Sequence, residues 1–351
     1  MKHFIIPVFI PHFGCTHQCV FCNQKKITGS SATRLSGKDV ADLIELHLAR
    51  LDRPRRVEVA FYGGSFTALS LNYQRELLTP AAQAQREGRI HAIRLSTRPD
   101  AISSDILQQL ISYGVSIVEL GAQSLDDGIL ATAARGHTVN DIEQAVCLLR
   151  EAGLSCGLQL MLGLPGETWE LLPQVAARLL RLKPDIMRLY PTLVIAGTPL
   201  ADLYQNGRYV PLALDEAVRR AAFLKLLCEQ QGISVIRTGL QATEELDQPS
   251  VVLAGPYHPS FGEMVEAHLF SLMFQRFAVG KELSGRQLAI LHHPRDHSKL
   301  RGLGNANLRN WQEQYGFNKL SLYPAGDKAG ELIIEYEGLS HVVNKQMLCQ
   351  L

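Results

Sequence analysis

Three cysteines, Cys15, Cys19 and Cys22, crowd into FGCTHQCVFCNQKKITG (residues 13–29) in a C-x3-C-x2-C pattern. Soft thiolates favour zinc, copper or iron–sulfur clusters. A structural zinc site normally takes four protein ligands, often two C-x2-C pairs set well apart. Here one pair has a single extra cysteine, so zinc would need His12 or His17 as its fourth ligand. A [4Fe–4S] cluster on three thiolates leaves one iron open to the amino and carboxylate groups of a small molecule. The other cysteines, Cys147, Cys156, Cys228 and Cys349, lie among apolar residues without regular spacing, and the total of seven is odd. That is no disulfide framework. Buried free thiols in a reducing cytoplasm fit it.

Other polar residues gather in short glycine-rich pieces: GGSFT (63–67), STRPD (96–100), GAQS (121–124) and GLPGET (163–168). Gly63 and Gly64 have no side chain to keep a ligand from the backbone, although an ordinary tight turn uses the same residues. Gln123 and Arg135 stand twelve apart, and an arginine suits a carboxylate through paired N–H donors. Their plain alternative is a loop glutamine and a surface arginine.

Each of these pieces follows a short apolar run. The runs at 3–10, 56–64, 90–96, 115–121, 154–162 and 185–195 read as six strands. Helical segments are expected after Ser36 and near 71–87, 103–113, 139–152 and 168–182, the last capped by Thr168. A βα unit repeating about every 30 residues predicts a parallel sheet with crossover helices. The strands read as apolar on both faces, as buried parallel strands do, so the polar pieces collect at their carboxyl ends. A parallel barrel and a flat doubly wound sheet both place ligands there. Beyond residue 195 the repeat fades. A helix is expected at 213–231, another at 262–278, a short strand from 286, a helix at 305–315 and a hairpin over 319–338. The reading is residues 1–235 as one domain and 236–351 as a small α+β extension.

The 351 residues are 46% hydrophobic and carry a formal charge of +1, which argues neither for nor against RNA or a membrane as partner. The opening MKHFIIPVFIPHFGC is broken by prolines and too short to span a bilayer, so no export signal is read there. Cys349 is third from the end, one place off a prenylation site.

The cysteine pattern resembles that of the radical SAM superfamily, C-x3-C-x-aromatic-C, with Phe21 directly before Cys22 and the motif in the loop after the first strand. The resemblance implies an α/β fold, a partial parallel (β/α)6 barrel with a small C-terminal α+β extension. It implies a [4Fe–4S] cluster on Cys15, Cys19 and Cys22, with S-adenosyl-L-methionine (SAM) on the open iron. Gly63, Gly64, Ser65 and Thr67 match the stretch that holds the amino group of SAM. Gln123 and Arg135 match residues that touch its ribose and carboxylate in the coproporphyrinogen-dehydrogenase-like branch. Gln159 stands where that branch has a ribose-binding Asp, and Ser96 where it has a SAM-binding Glu, so this pocket is less acidic.

More narrowly, STRPD, VELGAQS, ARGHT and LYPTLVIAGTPLADLYQNGRY resemble segments of the radical SAM domain of the Elongator catalytic subunit, a tRNA wobble-uridine modifying enzyme, over residues 1–210. That subunit has a widely spaced first cysteine and a C-terminal acetyltransferase domain, and nothing after residue 240 resembles the latter. The expectation is an Elongator-like enzyme in which one electron reaches SAM and a 5′-deoxyadenosyl radical abstracts hydrogen from an unassigned substrate, an RNA base among the options. Arg188 and Tyr190 would face that substrate; barrel packing is their plain alternative. A flavodoxin or ferredoxin would supply the electron, tRNA or another RNA would be a partner, and no membrane is expected. The competing readings are a radical SAM enzyme for a small molecule or porphyrin, and a haem chaperone or iron–sulfur carrier, although the H-N-x-x-Y-W segment of the chaperones is missing. Two stretches are candidates for a lid or RNA contact: 256–263, with His258, Phe261 and Glu263, and 292–309, with Arg295, Lys299, Arg301 and Arg309.

Overall fold

The computed structural model describes residues 3–10, 13–15, 17–23, 34–51, 56–244 and 246–350, the last two without their side chains. His12 and the side chain of Cys349, both weighed above, fall outside what it describes. β1 (His3–Phe9), β2 (Arg56–Tyr62), β3 (Ala92–Thr97), β4 (Val115–Gln123), β5 (Ser155–Leu162), β6 (Ile186–Pro191) and β8 (Ser234–Thr238) form one parallel sheet. The sheet runs in chain order, with β1 and β8 at its two edges, and curls into a half barrel.

The sheet has seven strands, one more than expected. β8, SVIRT, is an edge strand of half-exposed and exposed residues, so it lacks the apolar run that betrays a buried strand. The expected sixth strand is also divided. The chain leaves the sheet at Pro191, and Val194–Ile195 (β7) pairs antiparallel with Val252–Ala254 (β9). Pro191 has no N–H with which to continue a ladder.

The two faces of the sheet differ, against expectation. Val57, Val59, Phe61, Ile93, Leu95, Val118, Leu120, Leu158, Leu160, Met187 and Leu189 alternate outward into the core beneath the helices. Between them Glu58, Tyr62, Arg94, Ser96, Glu119, Gln159, Arg188 and Tyr190 alternate to the inside. Within the runs Glu58, Arg94, Glu119, Gln159 and Arg188 each interrupt the apolar letters by a single residue, which is why the runs read as two-faced.

The crossover helices start at sequence-local caps. The Ser36 hydroxyl accepts from Asp39 N while the Asp39 carboxylate accepts from Ser36 N, and Thr138 with Asp141 repeats the arrangement. Thr168 is not a cap: the helix after β5 begins at Leu172 behind Leu171.

In the C-terminal part, helix Leu214–Gln230 packs along helix Phe261–Ala278. A second sheet has the order β11 (Lys319–Tyr323), β10 (Gln287–His292), β12 (Glu331–Tyr336), β13 (Leu339–Asn344). The hairpin expected over 319–338 is therefore not formed. β10 inserts between β11 and β12, pairing parallel with one and antiparallel with the other, and the tight hairpin is β12–β13. The core is continuous from Ile6 on β1 to Val343 on β13, across the expected division at 235, with the Phe274 and Trp311 rings stacked at 4.1 Å. No helix among the described residues is long and apolar enough to cross a membrane.

The cysteine loop is docked backbone to backbone. Ile10 N donates to Tyr62 O at 2.8 Å and Ser65 N to Phe13 O at 3.0 Å. A Cβ on Gly64 would lie 2.3 Å from Phe13 O and 2.6 Å from Ile10 O, and one on Gly14 would lie 2.1 Å from Ser65 O. The room that Gly64 leaves is thus filled by the loop itself. Gly64→Ala should therefore destabilise the fold by about 1–3 kcal/mol, as overpacking does. Urea denaturation measures the loss, and limited proteolysis should cut first between Cys15 and Cys22; an unchanged midpoint would show that the loop is not held here.

Candidate active site

A cavity of about 1080 Å³ opens inside the half barrel at the carboxyl ends of its strands. Cys15, Cys19 and Cys22 line one end, together with Phe21, Gly63, Gly64, Ser65, Ser96, Gln123, Arg135, Gln159, Arg188 and Tyr190. The topology thus gathers residues spread over 175 positions of sequence, because every βα crossover returns the next strand end to the same rim. Thr67 is the exception among the expected residues. It is buried away from the cavity, with its hydroxyl 2.5 Å from Thr97 Oγ1, which also lies 3.0 Å from Ser65 Oγ.

Arg135 sits at the cysteine end. It donates through Nη1 to Cys19 Sγ at 2.9 Å and through Nη2 to the Gly121 carbonyl at 2.5 Å, while its Nε is buried without a partner. An unsatisfied buried donor is costly, and Arg135 is one of the residues that line the cavity. The loop carrying it is held by Arg98, whose guanidinium makes paired bonds to Asp100 at 2.9 and 3.0 Å and reaches the Arg135 carbonyl at 2.5 Å. Gln123 ends β4 with φ +70°, a left-handed conformation uncommon for a residue with a side chain, and its Oε1 accepts from Gln159 Nε2 at 3.1 Å.

The cavity floor is a charged cluster. Glu119 Oε1 accepts from Arg94 at 3.2 Å, Arg188 at 3.1 Å and the Tyr62 hydroxyl at 3.3 Å, and Arg188 Nε also donates to Oε2. Arg94 pairs in addition with Glu58 at 2.8 Å. Arg188 donates to the hydroxyls of Tyr62 at 2.9 Å and Tyr190 at 3.2 Å. Burial pulls the Arg188 pKa down, but the oxygens of Tyr190, Glu119 and Tyr62 more than offset it, so the group stays a fixed cation. Burial, then the Glu119 charge, pushes the Tyr62 phenol up to about 12. Sequence reasoning found Arg188 and Tyr190 but missed Tyr62, Arg98, Glu119 and Arg237, all on the cavity wall. Charged letters inside otherwise apolar strands (VEL, MRL) were the signal available.

The donor set suits a thiolate-bound cluster. Three thiols along one cavity end suit a cluster that takes one thiolate per iron. Cys156 and Cys228 lie in the core with thiols pushed up to about 12 by burial, and Cys147 is on the surface.

Neither expected lid stretch lines this cavity. Phe261 is a core residue at a helix start, and Glu263 meets residues 297–305 at a separate, smaller cavity. Lys299 is paired with Asp296 at 3.3 Å, Arg301 bonds Asn305 at 2.8 Å, and Arg309 holds the Gly304 carbonyl. Residues 240, 241, 243 and 246 border the large cavity instead.

The sequence profile of the radical SAM superfamily matches residues 9–179, and that of the radical SAM C-terminal domain matches residues 184–270. A tRNA uridine(34) acetyltransferase of Methanocaldococcus jannaschii is 27% identical over 305 residues, 76% of this chain and 55% of its own length. One from Dehalococcoides mccartyi is 34% identical over 240 residues, 59% of this chain and 52% of its own. The chain spans about half the length of these curated relatives. The solved structure of Methanocaldococcus infernus Elp3 with an N-terminal deletion superposes with a TM-score of 0.61 at 22% identity, covering 82% of this chain and 66% of that one, and so shares the fold.

His137 is buried two residues beyond Arg135, its Nε2 3.2 Å from the Ala122 carbonyl and its buried Nδ1 without a hydrogen bond. Burial, then the nearby Arg135 charge, pushes its pKa down from 6.5 to about 4. Between those values the unfolded chain binds a proton that the folded chain refuses. Its contribution is therefore intact above pH 6.5 and drains away as the pH falls toward about 4. His137→Gln, which keeps a donor for Ala122, should flatten the fall of melting temperature over that window; parallel curves for both proteins would remove His137 as a cause.

Proposed function

Because the chain belongs to the radical SAM superfamily, we propose that it binds a [4Fe–4S] cluster through Cys15, Cys19 and Cys22 and holds SAM beside it. The cluster and SAM, when bound, supply one-electron cleavage of a sulfonium and a radical able to take hydrogen from an unactivated C–H bond. The observation that carries the reading is the meeting of three thiols with Arg135, whose buried Nε lacks a partner, in one cavity. Arg135 would turn its free donor to the SAM carboxylate. Gly63, Ser65 and Ser96 would border the amino group, and Gln123 and Gln159 would meet the ribose. Phe21 packs between the loop and the cluster Val194, Leu200 and Ala201, keeping the cysteines against the rim. A flavodoxin or ferredoxin would deliver the electron.

The substrate in this proposal is a base in RNA, a uridine by the names of the relatives, with their acetyl transfer left aside. Arg188 and Tyr190 would meet it: Tyr190 accepts from Arg188 and keeps its own O–H for a ligand. A cation pinned by Glu119 positions such a ligand without moving.

Anaerobic reconstitution tests the cluster. Cys15→Ala, Cys19→Ala and Cys22→Ala should each abolish the brown chromophore, while Cys228→Ser should keep it. Stoichiometric zinc with no iron would end the proposal. With dithionite and SAM, the wild-type chain should release 5′-deoxyadenosine. Arg135→Ala should keep the cluster and weaken SAM binding by about 1.5–3 kcal/mol, the range for a lost charged hydrogen bond. Equal affinity by calorimetry would make Arg135 a scaffold residue.

A further inference from the structure

The cavity is also lined from β8 and the loop behind it, through Arg237, Leu240, Gln241, Thr243 and Leu246. Arg237 is the register partner of Arg188 across the parallel β6–β8 ladder, so the two side chains stand next to each other on the cavity wall. Their surroundings differ. Arg188 has the Glu119 carboxylate, Arg94 has Glu58 and Glu119, and Arg98 has Asp100. Arg237 has one neutral partner among the described residues, the Gly239 carbonyl, which accepts from its Nε at 3.0 Å. Among the described residues no acceptor meets either terminal nitrogen of the guanidinium.

A half-buried guanidinium beside a second cation, with no carboxylate of its own, is electrostatically incomplete until an anion arrives. Arg237 also stands on the last strand of the sheet, at one lip of the gap left by the incomplete barrel. The other lip is β1, where Phe9 is 41% exposed and its ring centroid lies 6.3 Å from that of Tyr62. Aromatic faces stack bases regardless of their identity, and arginine forks match phosphate oxygens. One lip thus offers rings and the other a bare fork.

We propose that Arg237 is the phosphate anchor of the substrate site, holding a backbone phosphate of a nucleotide whose base lies toward Phe9, Tyr62 and Tyr190. The inference rests on the reading of this cavity as the site for an RNA base and adds the residue that separates a nucleotide from a bare nucleoside.

The test uses the full chain without SAM or reductant and compares uridine 3′,5′-bisphosphate with uridine by calorimetry at two salt concentrations. The wild-type chain should prefer the bisphosphate, with a preference that falls as salt rises. Arg237→Gln should weaken the bisphosphate about tenfold or more and leave uridine within about twofold. Arg237→Lys should recover part of the difference, since it restores charge without the fork. Equal affinity for the two probes, no bisphosphate binding at millimolar concentration, or an equal loss of both in Arg237→Gln would each overturn the proposal. The last outcome would mark Arg237 as a scaffold residue acting through Gly239. Because no cluster chemistry enters the measurement, failure of the cluster assignment and failure of this one are separately visible.

Discussion

The Glu119 carboxylate is the constraint from which the rest of the site hangs. It is buried beneath an open cavity and takes hydrogen bonds from Arg94 on β3, Arg188 on β6 and Tyr62 on β2. A buried ion pair adds little net stability over apolar packing, but removing one partner leaves a bare charge and costs about 3–5 kcal/mol. The cluster therefore acts less as glue than as a register pin. It tolerates only the arrangement of strands that brings two glutamates and two arginines into mutual reach. With Glu58 and Glu119 balancing Arg94 and Arg188, the floor is electrically quiet, and the character of the cavity above it is set by Arg135 at one end and Arg237 at the other.

The same logic of close fit governs the cysteine loop. Its position is set by backbone contacts with Gly64 and Ser65, and one of its thiols, Cys19 Sγ, is held by Arg135. Further along, Val20 N donates to Ala133 O at 3.2 Å and accepts through its carbonyl from Leu200 N at 2.8 Å, so the loop is tied to the segments after β4 and β7 as well. Three separate strand ends thus agree on where the cysteines stand before any ligand is bound, and preorganisation of that kind lowers the ordering cost of binding.

What could be read from the sequence was what is local. The cysteine spacing, the glycine pair, Gln123 and Arg135 each announce themselves within a few residues, and the cavity brings them together. The strands were legible as runs, yet their inward faces were not, because single charged letters such as Glu119 and Arg188 gain meaning only from partners 69 positions away. β8 was invisible for the opposite reason: an edge strand needs no apolar run. The hairpin over 319–338 failed because β10 enters the ladder from outside that window, and no short-range signal reports a strand arriving from another part of the chain. Arg237 belongs to the same class. In SVIRT it is one basic letter; beside Arg188, across the ladder, it becomes half of an unbalanced pair.

The half barrel leaves β1 and β8 unjoined, and that gap has a topological meaning. A closed barrel admits only what can pass through its mouth, so a long polymer would have to offer a free end or fold a loop tight enough to enter. A trough with a slit along its side makes no such demand. Under the proposed reading of the site, one unit in the middle of an unbroken RNA strand would be laid in from the flank, worked upon and lifted out again, with both continuing lengths of the strand outside throughout.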